Sequence, residues 1–369
     1  MKKFMDDDLL LQSDTAKHLF HDIAEELPII DYHCHLDPRE IYEDIRFNDL
    51  GDIWLGGRRE DGRCIGDHYK WRLMRANGVE ERLVTGRGDE RARFRAFADS
   101  LAMAAGNPMY HWCHLELKKY FGINEPLSAE NADRIWDRCE DILKNDPGMS
   151  ARGIIKKSRV EYIGTTDDPA DSLEWHEKIA ADKDIGFTVR PAFRPDKAID
   201  ITKDGFAGYV RKLAQCAGAK EPCCTQDVID ILLTRLGYFL QHGCLAADHG
   251  FERIPYRPVP MEICDAAFQK AMCGERPERD EAEGYQTAVL SALARSYSRH
   301  GIVMELHYSC LRNVNERMFG MLGPDTGYDT IASNTGITAL AAFLSELDKT
   351  GELPKTVIFS ADTLARSSR

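Results

Sequence analysis

The stretch Ile29 to Pro38, IIDYHCHLDP, decides how the rest of the chain is read. A short apolar run leads into two histidines one residue apart and stops at a proline. Proline lacks the N–H that a sheet ladder needs, so a strand over 29–36 ends there. Side chains alternate along a strand, which puts His33 and His35 on one face and Cys34 on the other. Two imidazoles on one face of a strand end suit a divalent metal, zinc most readily. Buried histidines that are merely hydrogen-bonded are the other reading, and spacing alone leaves both open.

Working outward, Leu9, Leu10, Leu19, Phe20, Ile23 and Leu27 recur at helical spacing, so residues 6–27 read as a helix that Pro28 ends. Residues 39–158 are mostly helical and polar, anchored by Trp54, Trp71, Trp112 and Trp136. That is too long for a simple crossover and reads as an inserted helical subdomain. Beyond it, strand signals at 160–166, 186–193, 244–250, 301–309 and 355–361 alternate with helical patterns at 226–241, 282–299 and 336–349. Alternating βα units predict a parallel sheet, with six strands when 29–36 is included. The domains expected are 1–38 (helix and first strand), 39–158 (the insertion) and 159–369 (the remaining strands and helices).

Polar residues gather at the strand ends: His33 and His35, Thr165 to Asp168, Arg194, Asp248 and His249, and His307. The C-terminal ends of the strands carry chemistry in a β/α barrel and in an open doubly wound sheet. The open sheet would need a glycine-rich phosphate loop after its first strand, and none is present. The fold class is therefore α/β, with a barrel preferred.

Composition narrows the function. The net charge is −13 and the basic residues are scattered, which argues against a nucleic-acid or anionic-membrane surface. An anionic small molecule stays open, because a local arginine pocket can oppose the global charge. The N-terminus turns acidic within a few residues and has no signal-like apolar run. No window approaches 18 apolar residues. A cytoplasmic chain is expected, with its eleven cysteines reduced.

Several motifs carry two readings each. Asp248, His249 and His307 could complete a metal site or serve beside it, and Asp248 could cap a helix. His68, Tyr69, Lys70 and Arg72 read first as a helix with a solvated basic face, packed by Trp71 and Met74, and otherwise as a lid over a pocket. Arg194 could hold a carboxylate bidentately or pair with Asp196 or Asp200. Arg312, near Asn313 and Arg317, could be a second anion clamp or a helix cap. His111 and His114 are spaced like a helical metal pair, but their aromatic and leucine neighbours favour a packed helix.

Taken in order along the chain, FMDDDLLLQSDTAKHLF, IIDYHCHLDP, DHYKWRLMRANG, GNPMYHWCHLELKKYFG, SARGIIKKS, TTDDPADSL, RPAFRPDKA, ADHG, LRNVNERMFGMLGPDTGYD and LPKTVIFS resemble the uronate isomerases (glucuronate isomerases) of the amidohydrolase superfamily. The resemblance implies a distorted (β/α)8 barrel. It implies aldose–ketose isomerisation of D-glucuronate to D-fructuronate, and of D-galacturonate to D-tagaturonate. It implies one divalent metal, usually zinc, on His33 and His35. It also implies substrate contacts from His68 and Arg194, and catalytic roles for Tyr69, Asp248 and His307. The partner expected is a small uronate, with no nucleic acid and no membrane; a homo-oligomer is compatible.

Two departures from the family pattern stand out. Residues from about Arg58 to Gly66 form a polar, glycine-rich insertion. The family also continues for two more βα units past TVIFS, with an aspartate metal ligand on its eighth strand and a substrate-binding arginine close behind. Asp362 and Arg366 directly follow the sixth strand and are not assigned those roles. A six-stranded piece of a barrel would expose two strand edges, and the expectation is weak stability and little turnover. A metal-dependent hydrolase of the same superfamily is the second reading. It would need a bridging lysine at a strand end, and none occurs near 166, 193 or 249. A fragment without activity, or a binding module, is the third.

Overall fold

The computed structural model describes residues 4–58, 64–86, 89–332 and 336–361. The chain divides into two compact units. One comprises Met1–Ile29, Glu43–Val160 and Arg312–Thr330, and is helical. The other comprises Ile30–Tyr42, Glu161–Leu311 and Ile331–Arg369, and carries the parallel strands.

Six strands matter to the site: β1 Ile29–Asp31, β2 Val160–Gly164, β3 Thr188–Arg190, β4 Ala246–Gly250, β5 Val303–Tyr308 and β6 Thr356–Ser360. β1 lies beside β2, and the Ile29 and Cys34 amides donate to the Arg159 and Gly164 carbonyls, so both strands advance together. β2 pairs in parallel with β3, β4 with β5, and β5 with β6. Phe193 links the two halves through isolated parallel bridges to Asp167 and Ala247. The strands therefore follow one another in space in chain order, as right-handed βα crossovers produce.

β4 is buried along nearly its whole length, and β5 nearly so, which is the burial expected of strands covered on both faces. Phe193 and Phe239 meet edge to face at 5.1 Å, and Tyr285, Tyr297, Met304 and Phe343 fill the same core. The helical unit has its own core of Trp54, Trp71, Phe94, Phe97 and Trp136. The Trp71 indole N–H donates to the Leu55 carbonyl at 2.8 Å, so its polar edge is satisfied.

Three expectations change. The N-terminal helix is shorter than 6–27: it spans Asp14–His21, capped by the Ser13 hydroxyl, with a single 3₁₀ turn at Ala24–Glu26. The first strand ends at Asp31, and the two histidines follow it in irregular backbone that the Cys34 hydrogen bond still ties to β2. Residues 312–330 belong to the helical unit. Arg75 donates to the Thr326 carbonyl and stacks at 4.5 Å on Tyr328, and Arg72 donates to the Asp329 carbonyl. Within the polar insertion, Gly57–Arg58 pairs with Cys64–Ile65 in antiparallel fashion; its residues 59–63, like Asp362 and Arg366, lie outside the described residues.

Asp167, just past β2, supplies a stability prediction. It is buried, and one carboxyl oxygen accepts from the Thr165 hydroxyl (2.7 Å) and the Ala192 amide (3.2 Å). Burial pushes its pKa up to about 7. The folded state therefore favours the protonated carboxyl. This contribution is fully present below the unfolded value of about 4 and is lost as pH rises through 7, at about 1.4 kcal/mol per pH unit at most. Asp167→Asn should melt progressively higher than the parent between pH 5 and pH 8. Parallel melting curves for the two chains would refute the assignment.

Candidate active site

The register of β4 on β5 builds the site. Asp248 lies opposite Glu305 and Gly250 opposite His307. Glu305 and His307 are two residues apart, so they share one face of β5. His33 and His35 reach the same place from the end of β1. Their ring centroids are 5.2 Å apart, and His33 is 4.7 Å from His307. Phe359 of β6 stacks on His307 at 4.3 Å.

The polar contacts form two connected pairs. His33 Nδ1 lies 3.1 Å from the carboxylate of Glu305, which is 1% exposed. Asp248 is fully buried; its Oδ2 lies 2.9 Å from Arg194 Nη1 and its Oδ1 3.1 Å from His307 Nε2. These last two contacts have ion-pair distances but not hydrogen-bond angles, and both Asp248 oxygens and His307 Nε2 lack a well-aligned partner among the described residues. Donor atoms of His33, Asp248 and His307 all lie within 4.8 Å of one another.

The electrostatics follow from this crowding. Burial opposes ionisation of Asp248, but the His307 ring and the Arg194 guanidinium outweigh it and pull its pKa down to about 2. Burial also disfavours charge on His33, yet Glu305 and Asp248 win and raise its pKa above the ordinary histidine value. His35 moves the other way, lowered by burial and by the neighbouring His33. The two histidines of one motif thus favour different protonation states, as acid–base sites often arrange.

The sequence-predicted residues separate into two groups. His33, His35, Arg194, Asp248 and His307 come together in the strand-bearing unit. His68, Tyr69 and Arg312 belong to the helical unit. There His68 opens a helix, His68–Ala76, capped by Asp67, and the Tyr69 ring lies 4.4 Å from the His68 ring. Tyr69 is exposed and lines a cavity of about 350 Å³ with Arg72, Leu73, Trp112 and others. Arg312 is paired with the Asp329 carboxylate at 2.6 Å.

Several readings are corrected. Asp248 caps no helix: it lies inside β4, and the next helix begins at Met261. The helix at His68 packs through buried Trp71 and Met74 as expected, but its basic face is only partly solvated: Arg72 is exposed, whereas Lys70 is buried against Asp67 and Arg75 pairs with Glu81. His249 belongs to the core side of β4, between Phe251 and Tyr297, and burial lowers its pKa to about 4. His114 has both ring nitrogens engaged, with Tyr110 and Leu127, which is the packed-helix reading. None of the eleven cysteines is in a disulfide. Cys223, Cys224 and Asp227 cluster closely enough to bind a cation. However, Asp227 already accepts from the Cys223 amide and thiol at the start of the helix Thr225–Gln241, so its carboxylate is engaged within the chain.

Sequence reasoning missed Glu305, whereas the salt bridge it offered between Arg194 and Asp196 is present at 3.0 Å. The signal for Glu305 was present: a charged residue two before a histidine in an apolar strand shares its face.

Ionisable side chains converging at the C-terminal ends of parallel strands, with a buried carboxylate held ionised, define an α/β enzyme. Comparison with known proteins specifies which. Residues 1–368 match the family model described as glucuronate isomerase. The uronate isomerase of Lachnospira eligens is 43% identical over 98% of this chain and 75% of its own length. That of Caldicellulosiruptor saccharolyticus is 45% identical with the same coverage. A crystal structure of uronate isomerase from Thermotoga maritima aligns with a TM-score of 0.90 at 31% identity, over 100% of this chain and 78% of that one. The glucuronate isomerase of Caulobacter crescentus aligns at 0.86 and 26%, over 97% and 74%. The chain belongs to the glucuronate isomerase family, and its activity is the isomerisation of a uronate. Among the described residues no helix is long and apolar enough to cross a membrane.

Proposed function

We propose that this chain interconverts D-glucuronate and D-fructuronate, and D-galacturonate and D-tagaturonate, by metal-assisted proton transfer on a distorted (β/α)8 barrel to which the six parallel strands belong. His33 and His35 are the proposed metal ligands, and zinc suits their nitrogen donors. The observation that carries this reading is Glu305. A buried carboxylate on His33 Nδ1 fixes the tautomer whose Nε2 carries the lone pair, the arrangement that supports metal-bound histidines. Asp248 is a poorer ligand candidate despite its proximity, because Arg194 and His307 already balance its charge.

Once bound, the metal would supply Lewis-acid polarisation of the sugar carbonyl. The remaining work falls to side chains. His307 would take the C2 proton at Nδ1, the ring nitrogen that does not face Asp248, and return it to C1, while the ionised Asp248, 3.1 Å from Nε2, steadies the charge the ring gains. Arg194 supplies the cation that a uronate needs and a neutral sugar does not. Tyr69 and His68 take their substrate roles from the family resemblance, and Arg312 is a candidate second anion clamp from its position after a strand. The reduced cysteines fit a cytoplasmic protein.

Arg194→Met tests the substrate half of this account. A charged hydrogen-bonding partner contributes about 1.5–3 kcal/mol, so D-glucuronate should bind about 10- to 100-fold more weakly to the variant. The neutral analogue D-glucose should be little affected. Equal weakening for both sugars would exclude a carboxylate clamp at Arg194.

A further inference from the structure

We infer that Asp196 is a positioning residue that sets the plane of the Arg194 guanidinium, and that Gly250 is the opening that lets the two groups meet. The inference rests on Arg194 holding the substrate carboxylate and extends it to how that clamp is shaped.

Three observations carry it. Asp196 Oδ2 accepts from Arg194 Nε at 3.0 Å and from the Gly250 amide at 3.0 Å, so one oxygen ties the side chain to the end of β4. Arg194 Nη1 lies 2.9 Å from Asp248 on the next edge of the group. A guanidinium is a rigid planar fork, and contacts on two of its edges fix both position and plane. Finally, a Cβ at Gly250 would sit 2.8 Å from Arg194 Nη2 and 3.2 Å from Asp196 Oδ2. Gly250 has no left-handed backbone requirement; the need for glycine is one of space.

The local sequence makes the arrangement short and stiff. Arg194, Pro195 and Asp196 are consecutive, the Arg194 amide is held by the Asp167 carbonyl, and Asp196 opens the turn Asp196–Ile199. Without Asp196, the guanidinium keeps Asp248 but loses the contact that fixes its plane. It would then meet a planar carboxylate in many orientations rather than one.

The test is a titration of D-glucuronate into the parent chain and into Asp196→Asn, Gly250→Ala, Arg194→Met and the Asp196→Asn/Arg194→Met double variant, with D-glucose as the neutral control. Asp196→Asn and Gly250→Ala should each weaken glucuronate binding about tenfold and leave glucose little changed. The double variant should bind no more weakly than Arg194→Met alone. Parent-like binding by Asp196→Asn, or a double variant whose loss is the product of the single losses, overturns the proposal. If Arg194→Met itself binds glucuronate normally, the clamp reading fails and the positioning role fails with it. Should Asp196→Asn melt far below the parent, Gly250→Ala carries the same comparison with the carboxylate intact.

Discussion

Asp248→Asn and His307→Asn are each expected to reduce turnover of D-glucuronate by about 10²- to 10⁴-fold, the range that a positioned acid–base group contributes. The two residues face each other at 3.1 Å across the β4–β5 register. In the proposed mechanism His307 would move the proton and Asp248 would stabilise the imidazolium that results. The losses should therefore overlap, with the double variant close to the worse single one. Asp248→Asn leaves Arg194 with a neutral neighbour, so stability should also fall, because breaking one side of a buried ion pair leaves charge uncompensated. Bound metal should persist in both variants. Kinetic comparison at matched metal content checks the prediction. A turnover loss that tracks metal loss would make these residues ligands rather than proton carriers.

Glu305→Gln is expected to weaken zinc binding about 10- to 100-fold while the fold is retained, the effect usual for a carboxylate behind a ligating histidine. Glutamine keeps the volume and can still accept from His33 Nδ1 through its carbonyl oxygen. What it removes is the charge that makes His33 more basic and raises its pKa. Competition with a chromogenic chelator measures the change. Unaltered zinc affinity would mean that the 3.1 Å contact is a packing feature of β5 with no bearing on the metal.

Much of this was legible in the chain. Each late strand ended where a short apolar run met polar residues, and the six expected strands all formed. His33, His35, Arg194, Asp248 and His307 were readable because each follows or closes such a run. The illegible parts share a cause: they depend on neighbours distant in sequence. Glu305 needed the β4–β5 register, which no local pattern specifies. The helix-cap reading of Asp248 failed because buried pairing with β5 kept the chain extended. The basic face at His68 is only partly solvated because Asp67 and Glu81 pair Lys70 and Arg75. The division of the chain into units was hidden for the same reason, since 312–330 follows a strand but packs on helices.

The central claim is that His33 and His35 hold one divalent metal, with Asp248 and His307 reserved for the proton. The direct measurement is metal content by mass spectrometry after zinc loading and desalting, on the parent chain and on His33→Ala, His35→Ala, Asp248→Asn and His307→Asn. We expect about one zinc per chain for the parent, Asp248→Asn and His307→Asn, and little or none for the two β1-end variants. Zinc retained by His35→Ala but lost from Asp248→Asn or His307→Asn would contradict it, and would move the metal to the His33, Asp248 and His307 cluster instead.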